Sequence, residues 1–342
     1  MKASDKRPPV QDTMLGHITG YWVSQLVYVA ARLGIADQLA RGPKTPAALA
    51  KKVGAHAPSL RRVLRALASV GVFAETSGGR FRLTPLAATL RSDVPGSLRP
   101  FALMLADGYN WTAWRELLHG TRTGELPFDH VHGMPVFEYL RGHPNEDREF
   151  SASMASISGP ENDAIARALD FGRFHTLVDV GGAHGHLLAT VLRRHRKVRG
   201  VLYDQPQVVA AAAESGFVTS RALAGRCAIQ GGDFFVDVPI GADAYLMKYV
   251  LHDWTDDQCA RILANCRRAM APGGRVLVVE HVIRPGNAPD WAKLLDINML
   301  VIPGGQERTK AEFAALFQRA GLRLRRVHPT GSALSVLEAA PA

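Results

Sequence analysis

One stretch, residues 177–204, constrains the fold of this 342-residue chain more than any other. An apolar run leads into a turn that contains Gly181, Gly182 and Gly185, an amphipathic helix follows, and a second apolar run ends on Asp204. This pattern predicts a βαβ unit. Glycines let the turn approach a ligand closely, and an acid at the end of the second strand can accept hydrogen bonds from both ribose hydroxyls. The stretch therefore predicts a nucleoside-containing cofactor, although a structural turn without a ligand has the same pattern.

The spacing of the glycines excludes two common nucleotide sites. The run Gly181-Gly182-Ala183-His184-Gly185 does not fit the dinucleotide fingerprint G-x-G-x-x-G. The chain also has no G-x-x-x-x-G-K-[ST] sequence, which is the phosphate-binding loop of ATPases. We therefore expect a nucleoside-containing cofactor other than NAD or ATP.

A second stretch, residues 243–281, has a strand–helix–strand pattern. An apolar strand runs into a His-Asp-Trp triplet that begins at His252, and Thr255 and Gln258 then form the capping box that opens a helix. A Pro-Gly-Gly sequence ends this helix, and the next strand ends on Glu280. His252 and Glu280 are thus predicted to lie at the ends of two strands.

The C-terminal half has the alternation of strands and helices that is typical of a mostly parallel sheet. Strands are expected at about 176–180, 199–203, 226–230, 244–250 and 275–280, followed by an antiparallel pair at about 322–328 and 333–338. Ligands of such sheets bind at the carboxyl ends of the strands. The residues singled out for chemistry all lie at those ends: Gly181, Asp204, Asp233, His252 and Glu280. Their convergence predicts one site.

The N-terminal part has a helical pattern that ends in a hairpin. Apolar spacing predicts a long helix at 12–33, shorter helices at 35–40, 46–53 and 58–70, and a two-stranded wing at about 72–74 and 80–83. This winged helix-turn-helix pattern makes DNA binding through Arg61, Arg62 and Arg65 an alternative function. The apolar residues of the same helix and the cofactor fold that follows weigh against a repressor.

Composition and charge argue against several other classes of protein. Hydrophobic residues make up 47% and charged residues 21%, as in ordinary globular proteins. The net charge of +10 comes from scattered arginines, so no nucleic acid partner is expected. The three cysteines form no C-x-x-C pair, and His130 and His132 have no third ligand at a suitable spacing, so no metal is expected. Without a signal-like segment or a run of about 18 apolar residues, we expect a cytoplasmic protein with no membrane partner.

Six motifs carry a resemblance to a known family. The sequences GGAHG, YDQP, GGDFF, KYVLHDW, APGGRVLVVE and PGGQERT occur in this order. They resemble the class I S-adenosylmethionine-dependent O-methyltransferases, in the subgroup of the caffeate and hydroxyindole (acetylserotonin) enzymes and their bacterial natural-product relatives. The similarity covers nearly the whole chain, and HDW, Glu280 and GGQERT together are its specific part.

The resemblance implies a fold and a domain organisation. The expected fold class is α/β, with a Rossmann-like, mostly parallel sheet whose last strand is antiparallel and an N-terminal helical winged-helix dimerisation domain. The implied domains are residues 1–105 for dimerisation, 106–165 as a helical connector that lines the substrate pocket, and 166–342 for catalysis. A homodimer through the N-terminal domain is expected, with Trp22, Leu26 and Val29 on an apolar stripe of the first helix.

The resemblance also implies site residues, with S-adenosylmethionine as cofactor and no metal. His252 would be the general base, oriented by Glu280 and Glu307. Cofactor-binding residues would be Gly181, Gly182, Gly185, Asp204, Asp233, Phe234, Lys248 and Ser158. Substrate residues would be Met154, Trp254, Asn298 and Met299, in a mostly apolar pocket that also includes Tyr249 and Ile302. Ala183 replaces the third glycine of the family's turn, and we expect its φ to be negative.

The implied reaction is methylation of a hydroxyl on a small aromatic metabolite, phenolic or polyketide-like. A sulfonium methyl group is already activated, so positioning and removal of the acceptor's proton are what the protein must supply. Two alternatives stay open at this point. One is an N- or C-methyltransferase on the same fold, and the other is a winged-helix regulator with a ligand-binding domain.

Overall fold

The computed structural model describes residues 9–342, apart from the side chain of Pro160. The first eight residues of the expected N-terminal domain lie outside the described residues. The chain forms two compact units. The N-terminal unit comprises the chain up to Trp111 together with Leu140–Ile157, and the C-terminal unit comprises Thr112–Tyr139 and Ser158–Ala342. The segment 106–165, which the sequence predicts as a connector, therefore contributes to both units.

Helices and a small hairpin make up the first part of the chain. In order these are α1 (Val10–Ile18), α2 (Gly20–Arg32), α3 (Ile35–Leu39), α4 (Pro46–Val53), α5 (Ala57–Ser69), β1 (Phe73–Glu75), β2 (Phe81–Leu83), α6 (Pro85–Ala88), α7 (Arg99–Ala106), α8 (Gly108–Arg115), α9 (Leu117–Thr123), α10 (Pro127–His132), α11 (Val136–Gly142) and α12 (Pro144–Ala168). The three shorter predicted helices and the wing are confirmed, and α5 buries Leu60, Leu64 and Leu67 in the core of its unit.

One expected helix, residues 12–33, is in fact two. The break lies at Thr19, whose ψ of 1° is not helical, and α2 begins at Gly20. The Thr19 hydroxyl donates a 2.7 Å hydrogen bond to the carbonyl of Leu15, one turn earlier. Threonine that bonds back to its own helix and glycine both weaken helical continuity, and together they account for the break.

An exposed apolar surface covers α1 and the start of α2. We call it the N-terminal apolar face, and it consists of Val10, Met14, Leu15, Ile18, Tyr21 and Trp22. Each of these side chains is more than half exposed, from 54% for Tyr21 to 82% for Val10. A contiguous apolar surface of this kind usually marks an interaction site.

The rest of the chain alternates strands and helices. In order these are β3 (Thr176–Val180), α13 (His186–Arg194), β4 (Arg199–Asp204), α14 (Pro206–Ser215), β5 (Cys227–Gly231), β6 (Ala244–Lys248), α15 (Asp256–Ala269), β7 (Arg275–Ile283), α16 (Trp291–Val301), β8 (Arg308–Thr309), α17 (Lys310–Arg319), β9 (Leu322–Pro329) and β10 (Leu334–Pro341). The predicted capping box is present at Thr255, where α15 begins, and a second capping box is present at Thr309, where α17 begins. None of the helices in residues 9–342 has the length and apolar character needed to cross a membrane.

The strands form one sheet in the order β5-β4-β3-β6-β7-β10-β9, with β8 beside β7. The five strands β3, β4, β5, β6 and β7 are parallel to one another, whereas β10 runs antiparallel to both β7 and β9. This confirms the predicted mostly parallel sheet with an antiparallel end. The strand order reverses at β3, between β4 and β6, and the crevice at such a switch point is where ligands of α/β sheets bind. The turns after β3, β4 and β6 all open at this edge.

Candidate active site

His252 lies in a short 3₁₀ helix, Leu251–Asp253, that follows β6. Its Nδ1 atom is 2.8 Å from Oε1 of Glu307 and 3.7 Å from Oε2 of Glu280. All three side chains are buried, and Glu280 is 0% exposed. The structure thus brings together the three residues that the sequence assigns to catalysis, although they are up to 55 positions apart.

Glu280 ties the strand β7 to the turn that carries His252. Its Oε1 atom accepts hydrogen bonds from the backbone N–H groups of Val250 and Leu251, at 3.1 Å each. Both backbone donors bind Oε1, whereas Oε2 has no hydrogen-bond partner among the described residues and lies 3.7 Å from the imidazole of His252. The position of Glu280 therefore fixes the backbone of the turn as well as facing the ring of His252.

Residues 305–308 hold the same turn from the other side. A Cβ atom added to Gly305 would overlap the carbonyl oxygen of His252, so only glycine fits there. The next residue, Gln306, donates its backbone N–H to that carbonyl at 2.8 Å. The buried guanidinium of Arg308 donates to the carbonyls of Leu251 and Trp254, at 3.0 Å each. These contacts give a physical reason for the GGQERT motif.

The charges around His252 favour its protonated form. Burial lowers the pKa of His252, but the carboxylates of Glu280, Asp253 and Glu307 together outweigh burial and raise it to about 10. Burial also raises the pKa of Glu280, to about 7, against the opposing effect of His252. Because Nδ1 faces the glutamates, Nε2 is the ring nitrogen left for an acceptor, with Oδ1 of Asp253 3.6 Å away from it. A proton that arrives at Nε2 is therefore well stabilised.

The glycine-rich turn follows β3 and packs tightly on the sheet. A Cβ atom on Gly182 would lie 2.6 Å from the side chain of Leu202 and 2.7 Å from the carboxylate of Asp179. Both neighbours are buried and cannot easily move. Gly182 thus lets the turn sit directly on the strand ends, which brings its backbone to the switch point. Gly181 and Gly185 flank it with positive φ angles.

The expectation for Ala183 is wrong, because its φ is +48°. The backbone N–H of Ala183 donates to Oδ2 of Asp204 at 2.8 Å, which holds the residue in this left-handed conformation. The conformation costs about 1–2 kcal/mol for a residue with a Cβ atom. The other oxygen of Asp204 accepts from the N–H of Gln205 at 2.7 Å. Since each carboxylate oxygen can accept a second hydrogen bond, Asp204 is still able to bind two hydroxyls.

Aromatic side chains surround the region next to this turn. The ring of Phe234 is near Gly181 and lies 6.0 Å from the ring of Trp254, centroid to centroid. Phe235 completes the group, 4.8 Å from Trp254, and Asp233 holds its loop by accepting the N–H of Phe235. The sequence assigns Trp254 to the acceptor, but this packing groups it with the residues assigned to the cofactor.

The remaining predicted residues have less distinctive surroundings. Lys248 is buried and pairs with Glu161, at 2.9 Å, and with Asn162, at 3.0 Å, so it is not an ordinary surface charge. Oδ1 of Asn298 accepts a hydrogen bond from the indole N–H of Trp114. Met299, on α16 with Asn298, is buried. Ser158 and Met154 are half-buried on α12, where Ser158 belongs to the C-terminal unit and Met154 to the N-terminal unit. Their contacts with ligands stay predictions.

Two further acids near the site did not stand out in the sequence. Asp179 lies on β3, and its carboxylate is close to Gly182. Burial raises its pKa to about 7, and its Oδ2 atom has no hydrogen-bond partner among the described residues. Asp296 accepts the backbone N–H of Glu307 at 2.8 Å and so supports that catalytic candidate. An acid inside an apolar strand, as in the sequence around Asp179, is the signal that could have revealed the first one. Nothing in the spacing points to the second.

A group of possible metal ligands also differs from expectation. His130 does have neighbours: Glu125 and His119 lie beside it, and the rings of His119 and His130 stack with centroids 3.8 Å apart. His132 instead packs against Phe128. The sequence missed this trio because His119 comes from the preceding helix. Its side chains are wholly or partly exposed, and it lies apart from the residues of the His252 cluster in the chain.

Comparison with protein families matches both parts of the chain. The O-methyltransferase domain matches residues 114–323, and the O-methyltransferase dimerisation domain matches residues 15–93. Among relatives, the phenazine O-methyltransferase PhzM of Lysobacter antibioticus is 46% identical over 97% of each chain. The mitomycin biosynthesis 6-O-methyltransferase of Streptomyces lavendulae is 40% identical over 95% of this chain and 93% of its own. The phenazine-1-carboxylate N-methyltransferase of Pseudomonas aeruginosa is 34% identical over 91% of each.

Solved structures of similar proteins include complexes with the cofactor or its product. CalO1, a methyltransferase in calicheamicin biosynthesis with S-adenosylhomocysteine bound, has a TM-score of 0.89 at 39% identity, covering 98% of this chain and 100% of that one. Human N-acetylserotonin methyltransferase with S-adenosylmethionine has a TM-score of 0.87 at 26% identity, covering 99% and 100%. NcsB1, an O-methyltransferase from neocarzinostatin biosynthesis with S-adenosylhomocysteine and 1,4-dihydroxy-2-naphthoic acid, has a TM-score of 0.78 at 34% identity, covering 93% and 96%.

These matches confirm the family, the fold and the cofactor that the motifs imply, and they favour an enzyme over the DNA-binding regulator. Enzymes of this family use S-adenosylmethionine and no metal. The chain belongs to the S-adenosylmethionine-dependent methyltransferases of the O-methyltransferase family that carry an N-terminal dimerisation domain.

Proposed function

We propose that this enzyme methylates a hydroxyl group of a small aromatic metabolite, with His252 as the general base. The observation that carries the proposal is the buried cluster of His252, Glu307 and Glu280, which is built from the turn after β6, from β7 and from the loop before β8. The acceptor class is supported by relatives whose names specify phenazine and by the naphthoic acid bound to NcsB1. The mostly apolar residues assigned to the acceptor suit a flat ring.

The residues around the glycine-rich turn fit S-adenosylmethionine. Asp204 has acceptor capacity left for ribose hydroxyls, and the rings of Phe234 and Trp254 offer apolar surface to an adenine. Gly182 packs closely on the strand ends, and because it has no side chain it leaves room for the cofactor beside the turn. When bound, S-adenosylmethionine supplies an activated methyl group and leaves as S-adenosylhomocysteine.

His252 receives the proton of the acceptor hydroxyl at Nε2 while the acceptor oxygen forms its bond to the methyl carbon. A phenol has a pKa of about 10, so it needs a base at neutral pH. Glu307 accepts a hydrogen bond from the N–H group at Nδ1 and so fixes the tautomer, and both glutamates stabilise the imidazolium that forms. Orientation of the two reactants can contribute a further 7–11 kcal/mol or so. The residues of the cluster therefore act on the acceptor's proton.

N-Methylation is the second candidate, because one relative is a phenazine-1-carboxylate N-methyltransferase. A ring nitrogen that carries a free lone pair has no proton to lose. The intact cluster of a histidine and two glutamates favours a hydroxyl acceptor, for which a base is useful.

The homodimer is part of the proposal as well, since a dimerisation domain matches residues 15–93 and the N-terminal apolar face lies at its start.

Gly182→Ala should weaken S-adenosylmethionine binding at least tenfold, because the added Cβ atom meets Leu202 and Asp179 and must displace the turn. Isothermal titration calorimetry measures the affinity. Gly78→Ala is the matched control, since nothing lies within 4 Å of a Cβ atom there. Unchanged binding by Gly182→Ala would remove this turn from the cofactor site.

His252→Ala should lower kcat by about 10²–10⁴-fold, the usual contribution of a general base. Affinity for S-adenosylmethionine should hardly change, and Glu307→Gln should cost less and be non-additive with His252→Ala, since the residues act as a unit. Product is quantified by mass spectrometry with a phenolic acceptor, and exposed His56→Ala serves as the control. A normal kcat for His252→Ala, at a pH where the acceptor is not ionised, would exclude His252 as the base.

The rate should rise with pH, because only neutral His252 can accept a proton. The carboxylates raise the pKa of His252 to about 10. The rising limb of the pH–rate profile should therefore have an apparent pKa above the ordinary imidazole value of about 6.5. Glu307→Gln removes one of these charges and should shift the limb to lower pH while lowering the maximum. Measuring kcat from pH 6 to pH 10 or so at saturating substrates tests this. A limb that is identical in the two proteins would mean that another group controls the rate.

Trp22→Asp should convert a homodimer into monomers, because it places a charge in the N-terminal apolar face. Analytical ultracentrifugation should give the mass of two chains for the wild type and of one for the variant. Ile240→Asp, at a highly exposed position of the catalytic domain, is the control and should stay dimeric. A wild-type mass of one chain at micromolar concentration contradicts the dimer.

A further inference from the structure

Tyr249 has an uncommon backbone conformation, directly after β6 and three residues before His252. Its φ is +56°, and within residues 9–342 Ala183 is the one other non-glycine residue with a positive φ. A bulky side chain at positive φ is an outlier that normally reflects strain or a tight turn. Such strain persists only where surrounding contacts hold the residue in place, and it occurs preferentially at functional sites.

The contacts that hold Tyr249 come from three elements. Its hydroxyl donates to Oε1 of Glu161 on α12 at 3.0 Å and lies 3.3 Å from Nε2 of His281 on β7. Its backbone N–H donates to the carbonyl of Val279 at 3.2 Å. The ammonium group of Lys248 is 5.0 Å from the centre of the Tyr249 ring and also pairs with Glu161. Tyr249 is therefore held at its hydroxyl, at one face of its ring and at its backbone N–H group.

The ring of Tyr249 also contacts the imidazole of His252, the proposed base. The rings of Tyr249 and His252 stack with centroids 5.2 Å apart and an angle of 22° between their planes. A single hydrogen bond between Nδ1 and Glu307 leaves the ring free to rotate about that bond, which would tilt the plane of the imidazole. A nearly parallel ring against the face of the imidazole opposes this tilt. The glutamates thus fix one nitrogen, and the tyrosine ring fixes the plane.

We propose that Tyr249 is a positioning residue, whose ring keeps His252 in the orientation in which Nε2 meets the acceptor hydroxyl. This inference rests on the proposed role of His252 as the base. The ring is the essential part of Tyr249 in this role, and the bond from its hydroxyl to Glu161 serves to anchor the ring. The left-handed backbone of Tyr249 is what turns the side chain toward His252 at the end of the strand.

Variants at position 249 separate the ring from the backbone. Tyr249→Phe keeps the stacking and should lose no more than about fivefold in kcat. Tyr249→Asn removes the ring, while asparagine tolerates a positive φ, so the fold should be kept and kcat should fall by about tenfold to a hundredfold. KM for S-adenosylmethionine should stay the same in both. If Tyr249→Asn does not fold, Tyr249→Gly tests the same loss without backbone strain.

The pH dependence tells positioning from a general structural defect. Glu280, Glu307 and Asp253 face His252, and Glu161, Lys248 and His281 face Tyr249. All of these groups remain in Tyr249→Asn. The loss should therefore be large for a weakly acidic phenol at neutral pH and should shrink toward fivefold or less for an acceptor whose hydroxyl is already ionised. A loss of equal size for both acceptors at every pH overturns the proposal.

Double variants complete the test. In the His252→Ala background, Tyr249→Asn should cause little further loss in kcat, because the residue that it positions is gone. Full additivity, or a wild-type rate for Tyr249→Asn alone, overturns this inference while His252→Ala remains slow and the proposed function stands. A wild-type rate for His252→Ala overturns both.

Discussion

The carboxylate of Glu280 is the interaction on which the site most depends. It is wholly buried, it accepts two backbone N–H groups of the turn after β6, and it faces the imidazole of His252. Removal of one partner from a buried ionic group typically costs about 3–5 kcal/mol, because the other charge is left without compensation. Strand β7, the turn and the imidazole of His252 are therefore linked through one side chain. A change at Glu280 affects the shape of the turn and the protonation of His252 together.

The loop at residues 305–308 is the second support of that turn, and it works through the backbone. Gly305 and Gln306 contact the carbonyl of His252, and Arg308 binds the carbonyls on either side of it. A buried arginine that donates to several carbonyls in a fixed geometry cannot be replaced by lysine without losing donors. The histidine is thus held by its ring and by its main chain. Preorganisation of this kind would let the proposed base act without rearrangement.

The sequence alone predicts the parts that depend on periodicity and local chemistry. The strands, the capping box at Thr255 and the position of His252 after β6 follow from patterns within short stretches. The sequence predicts Glu280 at the end of its strand, but Glu280 lies inside β7, which continues to Ile283 because it pairs with β10 and β8 beyond that residue. The parts that depend on tertiary contacts do not follow. The positive φ of Ala183 requires the carboxylate of Asp204, and the packing of Trp254 on Phe234 and Phe235 requires a loop 20 residues earlier. The break at Thr19 is a competition between one side-chain hydrogen bond and helix continuity.

The burial of His252 has a consequence for its proposed role as the base. The carboxylates that favour the capture of a proton also retain it, and His252 is only 9% exposed. A histidine in such a setting must pass its proton to water before it can accept another. Proton release is then a separate event from methyl transfer, and it can be slower. If His252 is the base, small buffer molecules that reach the cluster would accelerate proton release, and turnover would then depend on the buffer as well as on the acceptor.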